Sequence, residues 1–183
     1  KKMIGKIKEE IPGGSANRIP KDKYPQVSIA TRLVSETVLH KLRNMGTGEI
    51  DLVILNSGGI RMNLSPGDFS YDNAYTLLPF TSNTIYILNM SGAEIKQVIE
   101  DSLDFALSGG SSGAFPYGAG IRFEATKAGQ LGTRVKKVEV FDVKANKWVP
   151  IDMKKMYNVG TNSYVAKGKD GYTTFGKVNE QRP

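Results

Sequence analysis

The sequence predicts an α+β domain in two layers, with a mixed β-sheet and two principal helices. Three observations predict it. Residues 25–45 and 91–103 carry apolar side chains at three- and four-residue intervals, the period of an amphipathic helix. Several short, branched apolar runs read as strands, and their irregular order relative to the helices argues against a regular parallel α/β pattern. No internal repeat or second hydrophobic unit divides the 183 residues, a length at which one domain buries about 70% of its unfolded surface.

Residues 1–10 alternate weakly, as a short edge strand would, and Ile11-Pro12-Gly13-Gly14-Ser15 breaks the pattern. Asn17-Arg18-Ile19-Pro20 continues as loop. In the first helix, Val27, Ala30, Leu33, Val34, Val38, Leu42 and Met45 form the apolar stripe, and Gly46 and Gly48 supply its stop. Residues 50–55 form a short apolar run suited to a buried strand. Residues 71–78 read as a short helix that Pro79 ends, and 84–90 as a strand. Ser91-Gly92-Ala93-Glu94 has the form of a capping box, in which each side chain satisfies an orphan donor at a helix start. Ala93, Ile95, Val98, Ile99 and Leu103 are expected on that helix's buried face. The glycine-rich stretch 108–118 lacks the spacing of a P-loop or dinucleotide fingerprint and reads as a flexible loop on a pocket rim. Residues 120–124, 135–141, 147–151 and 157–163 read as strands, the middle pair forming a hairpin around Lys144-Ala145-Asn146.

Composition narrows the chemistry. There are no cysteines, which excludes disulfides, thiolate metal sites and a cysteine nucleophile. The single histidine, His40, falls on the first helix as a solvated position, so a histidine-rich metal site is excluded too. A formal charge of +7 favours an anionic partner. The basic residues are nevertheless dispersed, without a basic block, zinc knuckle or RNA-binding aromatic signature, so nucleic acid is not indicated. No apolar run approaches the roughly 20 residues of a membrane-spanning helix, and the opening Lys1-Lys2-Met3-Ile4-Gly5 is not a signal peptide.

The chemistry-bearing residues gather in three words. Asn56-Ser57-Gly58-Gly59-Ile60-Arg61 places an amide at the end of a strand, where ligands of open sheets tend to sit. Its paired glycines permit close approach to the backbone, and Arg61 offers a planar donor fork for phosphate or carboxylate. Phe80, after Pro79, is either a core aromatic or a stacking platform. Asp170-Gly171 marks a turn, or places a carboxylate to accept from paired hydroxyls beside the aromatic face of Tyr164.

These words, with Leu77-Leu78-Pro79-Phe80, Ser91-Gly92-Ala93-Glu94-Ile95 and the full run from Tyr164-Val165-Ala166-Lys167-Gly168 to Lys169-Asp170-Gly171-Tyr172, resemble the C-terminal domain of the 5′-nucleotidase family. That family includes periplasmic UDP-sugar hydrolases, NAD nucleotidases and ecto-5′-nucleotidases. The resemblance covers nearly the whole chain, 1–183, and is nearest to bacterial members, where Gly113-Ala114-Phe115-Pro116-Tyr117 and Gly120-Ile121-Arg122-Phe123 also have counterparts. It implies that Phe80 and Tyr164 sandwich a nucleobase, that Asp170 binds ribose hydroxyls, and that Asn56 and Arg61 contact the nucleoside or phosphate end. A further family arginine matches Arg18, with Lys23 and Arg32 as rivals. Tyr164 stands where some relatives have phenylalanine, and Ser57 replaces the first glycine of a common triple-glycine version.

The resemblance further implies a missing partner: an N-terminal metallophosphoesterase domain of the same polypeptide, holding two divalent metal ions. No catalytic residue, metal ligand or cofactor is expected in this chain, and isolated it is expected to be inactive. The implied location is periplasmic, secreted or cell-surface. The competing reading is a stand-alone nucleotide-binding or interaction module with no catalytic partner. A dinucleotide oxidoreductase is weaker, because Ser57-Gly58-Gly59 lacks the spaced glycine fingerprint.

Overall fold

A computed structural model describes residues 2–21 and 28–182. The weakly alternating start forms β1 (Met3–Ile7). Helix α1 (Ile29–Arg43) begins where Ser28 Oγ accepts from the Thr31 amide at 3.3 Å, so the first turns predicted from 25 onward fall partly outside the described residues. The apolar run becomes β2 (Leu52–Asn56), buried at every position. Then come β3 (Gly67–Ser70), α2 (Tyr71–Leu77) and β4 (Ile85–Ser91). Helix α3 (Gly92–Leu107) starts with the expected box: Ser91 Oγ accepts from the Glu94 amide, and Glu94 Oε2 accepts from the Ser91 amide. Strands β5 (Pro116–Ala119), β6 (Ile121–Ala125), β7 (Val135–Asp142), β8 (Lys147–Pro150) and β9 (Met156–Asn162) follow. The chain closes with α4 (Ser163–Ala166) and α5 (Thr173–Gln181).

The α+β class and the mixed sheet are as expected. The central sheet has the order β4-β9-β2-β5, with β9 parallel to β2 and the outer pairs antiparallel. Alternation along β2 decides what lies above and below it. Val53 and Leu55 pack with Leu39 and Leu42 of α1, whereas Leu52 and Ile54 join the larger core with Ile95, Val98, Ile99 and Leu103 of α3. The two principal helices therefore lie on opposite faces of the mixed sheet, so the layers run helix, sheet, helix, where two layers were expected. A meander of β6, β7 and β8 turns at the predicted hairpin, where Asp142 pairs with Lys147 and Asn146 adopts φ 51°. Strands β1 and β3 form a separate two-stranded ribbon.

Three local expectations change. Ala93, expected on the buried face of α3, is exposed in its first turn. The stretch read as flexible contains β5, whose Leu55–Tyr117 and Val53–Ala119 pairings make it an edge of the central sheet. Proline and glycine there signal an edge strand whose backbone lies close to its neighbours, since a Cβ on Gly118 would stand 2.8 Å from the Val53 carbonyl oxygen. Helix α5 was not visible as a pattern. Its start is capped from outside by Asp101 of α3, whose Oδ2 accepts from the Thr174 amide at 3.0 Å and the Thr173 hydroxyl at 3.1 Å.

Candidate functional site

The glycine turn after β2 is built against the glycine-rich loop. Ser57 is buried; its amide donates to the Phe115 carbonyl at 3.0 Å and its hydroxyl lies 3.2 Å from the Ser112 carbonyl oxygen. A Cβ on Gly58 would come within 3.0 Å of Gly113 Cα, so the two backbones meet where neither residue carries a side chain. This contact pins residues 111–114 beside the end of β2. Tyr172 holds the same loop from the other side: buried and stacked on Phe175, it donates its hydroxyl to the Ala114 carbonyl at 2.8 Å.

Around that support, all six sequence-selected residues line one cleft. Arg18, Asn56, Arg61, Phe80, Tyr164 and Asp170 share it with Gly58, Gly59, Asn83, Ser111 and Gly113, and its volume is about 260 Å³. Phe80 and Tyr164 are 49% and 42% exposed, so neither ring is consumed by the core. Their supporting segments are tied together, because the Ser163 amide donates to the Thr84 carbonyl at 2.8 Å and the Thr84 amide donates to Ser163 Oγ at 3.1 Å. Arg61 is placed by its own amide, which donates to the Leu77 carbonyl, and its guanidinium carbon lies 5.7 Å from the centre of the Phe80 ring.

Asp170 sits in a tight turn at φ 55°, ψ 32°, between Gly168 and Gly171, which also have positive φ. Both its oxygens are engaged: Tyr164 Oη donates to Oδ1 at 3.2 Å and Asn56 Nδ2 to Oδ2 at 3.3 Å. Burial and the neighbouring Asp170 charge raise the Tyr164 phenol above its ordinary value, so the hydroxyl stays a donor at neutral pH. Arg18 enters from the loop before α1, where Tyr117 Oη donates to its carbonyl at 2.8 Å. Burial, then the Arg61 charge, lower its pKa, while Asp170 opposes that shift. Its Nε is buried without a hydrogen-bond partner among the described residues. Two guanidiniums line one cleft, Arg18 partly withdrawn from water and Arg61 exposed, an arrangement that favours an anion.

The rivals to Arg18 fall elsewhere. Lys23 lies outside the described residues, and Arg32 lies on the exposed side of α1, 3.3 Å from Glu36 Oε1, at a different cavity of about 640 Å³. His40 is exposed on α1, as expected. Among the described residues no group of three or more His, Cys, Asp or Glu side chains is placed to hold a metal ion. The cleft itself offers one carboxylate and no imidazole, a donor set that does not fit a pair of divalent metals. No helix among the described residues is long and apolar enough to cross a membrane.

Sequence reasoning missed Asn83 on the cleft wall and Asn162 behind it, whereas Ser111 and Gly113 belong to the stretch expected on a pocket rim. Asn162 had a signal: it precedes the short Ser163–Ala166 turn and has the side chain of a preferred helix cap. Asn83 lies in an irregular loop whose spacing carries no such sign.

Comparison with known proteins identifies the family. The chain matches the family model described as 5′-nucleotidase, C-terminal domain, over residues 4–177. It is 52% identical over 171 residues, 93% of this chain, to a probable 5′-nucleotidase of Treponema pallidum, and 51% identical over 171 residues, 92% of this chain, to the NAD 5′-nucleotidase of Haemophilus influenzae. It spans only 28% and 27% of those relatives' lengths. The solved H. influenzae NAD nucleotidase superposes with a TM-score of 0.87 at 49% identity, over 96% of this chain and 31% of that one. A 5′-nucleotidase precursor from Thermus thermophilus gives 0.80 at 29% identity, over 96% and 32%. The chain belongs to the 5′-nucleotidase C-terminal domain family.

Proposed function

We propose that this chain is the substrate-binding and specificity domain of a bacterial 5′-nucleotidase-type hydrolase. Phe80 and Tyr164 hold the nucleobase between their rings, Asp170 accepts hydrogen bonds from the ribose hydroxyls, and Asn56, Arg61 and Arg18 meet the nucleoside and phosphate end. The observation that carries this reading is the convergence of two exposed aromatic faces, one carboxylate and two guanidiniums on a single cleft. Each group suits a different part of a nucleotide. Stacking tolerates different bases and contributes about 1–3 kcal/mol per base. A carboxylate complements a diol, and guanidinium forks complement phosphate. At about 260 Å³ the cleft lies just below the roughly 300–1,000 Å³ typical of pockets that enclose a whole ligand, which suits a held nucleoside whose phosphate projects outward.

That projection gives the division of labour. Hydrolysis belongs to the N-terminal metallophosphoesterase domain of the same polypeptide, where two metals supply a clamp on the phosphate and an activated water. This chain's residues bind the base and ribose and hold the phosphate in register. A periplasmic, secreted or cell-surface setting accompanies this reading.

Calorimetry of the chain with adenosine, AMP and NAD tests the binding role. Adenosine and AMP should bind, and Tyr164→Ala and Asp170→Asn should each weaken binding about tenfold or more while the fold persists. Unchanged affinity in both folded variants would sink the assignment of the cleft.

A further inference from the structure

We infer that Asn162 is a positioning residue, which fixes the direction in which the Asn56 amide is presented to Asp170 and to a nucleoside in the cleft. This rests on the proposed binding role. The inference follows from which atoms can donate. A backbone N–H is donor-only, and the Val165 amide points at the Asn162 side chain at 3.0 Å, so the atom it meets must be the Asn162 oxygen. That oxygen caps the turn carrying Tyr164. The NH₂ of Asn162 is therefore left facing Asn56 at 2.9 Å, and the atom opposite must accept, which fixes it as Asn56 Oδ1. The Asn56 NH₂ is then turned toward Asp170 Oδ2 at 3.3 Å. An ordinary asparagine amide is free to flip; here the orientation of one is imposed on the next from a single backbone N–H.

The reverse orientation would bring the Asn56 oxygen against the Asp170 carboxylate, two acceptors without a proton between them. It would also offer a ligand an acceptor where the present arrangement offers a donor. Asn162 thus serves two parts of the site at once. Its oxygen holds the segment bearing Tyr164, and its nitrogen sets the polarity of the Asn56–Asp170 pair.

Asn162→Asp separates these roles. The new carboxylate still caps the Val165 amide but has no donor for Asn56, whose amide must turn over. Asn162→Ser is the neutral companion: it keeps a capping oxygen and loses the reach to Asn56. In ligand-free protein labelled with ¹⁵N, both variants should shift the Asn56 side-chain NH₂ resonances while backbone spectra remain those of the folded chain. Titrated with adenosine, each should bind about tenfold more weakly than the unsubstituted chain. In an Asn56→Ala background the same substitutions should change affinity less than about twofold, since the group they act through is gone. Unmoved Asn56 resonances, or an equal loss of affinity in both backgrounds, would overturn the inference. If the unsubstituted chain binds no adenosine, the nucleoside reading fails instead, and the Asn56 resonances alone decide whether Asn162 sets its orientation.

Discussion

Asp170 occupies a backbone conformation that costs most residues free energy. At φ 55° an alanine is disfavoured by roughly 1–2 kcal/mol, whereas glycine is at ease and aspartate is among the few side chains that tolerate it. Asp170→Ala and Asp170→Gly lose the same contacts to Asn56 and Tyr164, so their difference isolates the backbone. The glycine variant should be more stable by about 1 kcal/mol in urea unfolding, the reverse of the usual order at helical sites, and neither should retain nucleoside binding. An alanine variant as stable as the glycine one would mean that the turn relaxes and does not fix the carboxylate. This turn was legible in Asp170-Gly171, because positive φ leaves a mark in residue choice. The selection of Phe80 and Tyr164 as a pair was less so. Nothing local says that two aromatics 84 positions apart (164 − 80) share a cleft, and the family resemblance supplied that pairing. Asn162 escaped because its importance lies in donor and acceptor polarity passed across the end of the sheet.

At the scale of elements, the cleft floor depends on two loops touching through glycine. Gly58→Ala would set a methyl about 3.0 Å from Gly113 Cα and 3.1 Å from its carbonyl oxygen, both backbone atoms with little freedom to yield. At Gly59 the nearest atom to a new methyl is Asn56 Oδ1 at 3.9 Å, ordinary contact. Gly58→Ala should therefore push the Ser111–Gly113 wall outward and weaken adenosine binding several-fold, whereas Gly59→Ala should leave the melting temperature nearly unchanged. Calorimetry and thermal melts on the two variants check this, and equal behaviour would show that the loops do not register on each other. The glycines were readable as a place of close approach, but the partner was not. Residues 108–118 carried no periodicity that would announce a buried turn and an edge strand. Elements whose stability is local were the legible ones, above all α3 with its Ser91–Glu94 box. Helix α5 was invisible for the converse reason. Its cap comes from Asp101, 73 residues before Thr174, and its buried face shows only Phe175, Gly176 and Val178.

For the whole molecule, the decisive fact is that the chain covers little more than a quarter of relatives called 5′-nucleotidases. One histidine and no cysteine leave few soft ligands for a metal centre, the cleft adds a single carboxylate, and the proposed division of labour is what the family resemblance implies. A domain that only holds the nucleoside has a kinetic signature. The proposed stacking on Tyr164 would involve the base, remote from the phosphorus that changes bonding, and would stabilise bound substrate and transition state almost equally. In the polypeptide that joins this chain to its proposed metal-bearing domain, Tyr164→Ala should raise KM for AMP about tenfold and leave kcat within about twofold. Phosphate release at saturating and subsaturating AMP measures both. A large fall in kcat with KM unchanged would instead mean that the ring takes part in aligning the phosphate for attack. The isolated chain, supplied with divalent metal, should release no phosphate at all, because positioning accelerates a reaction only when the groups that perform it are present.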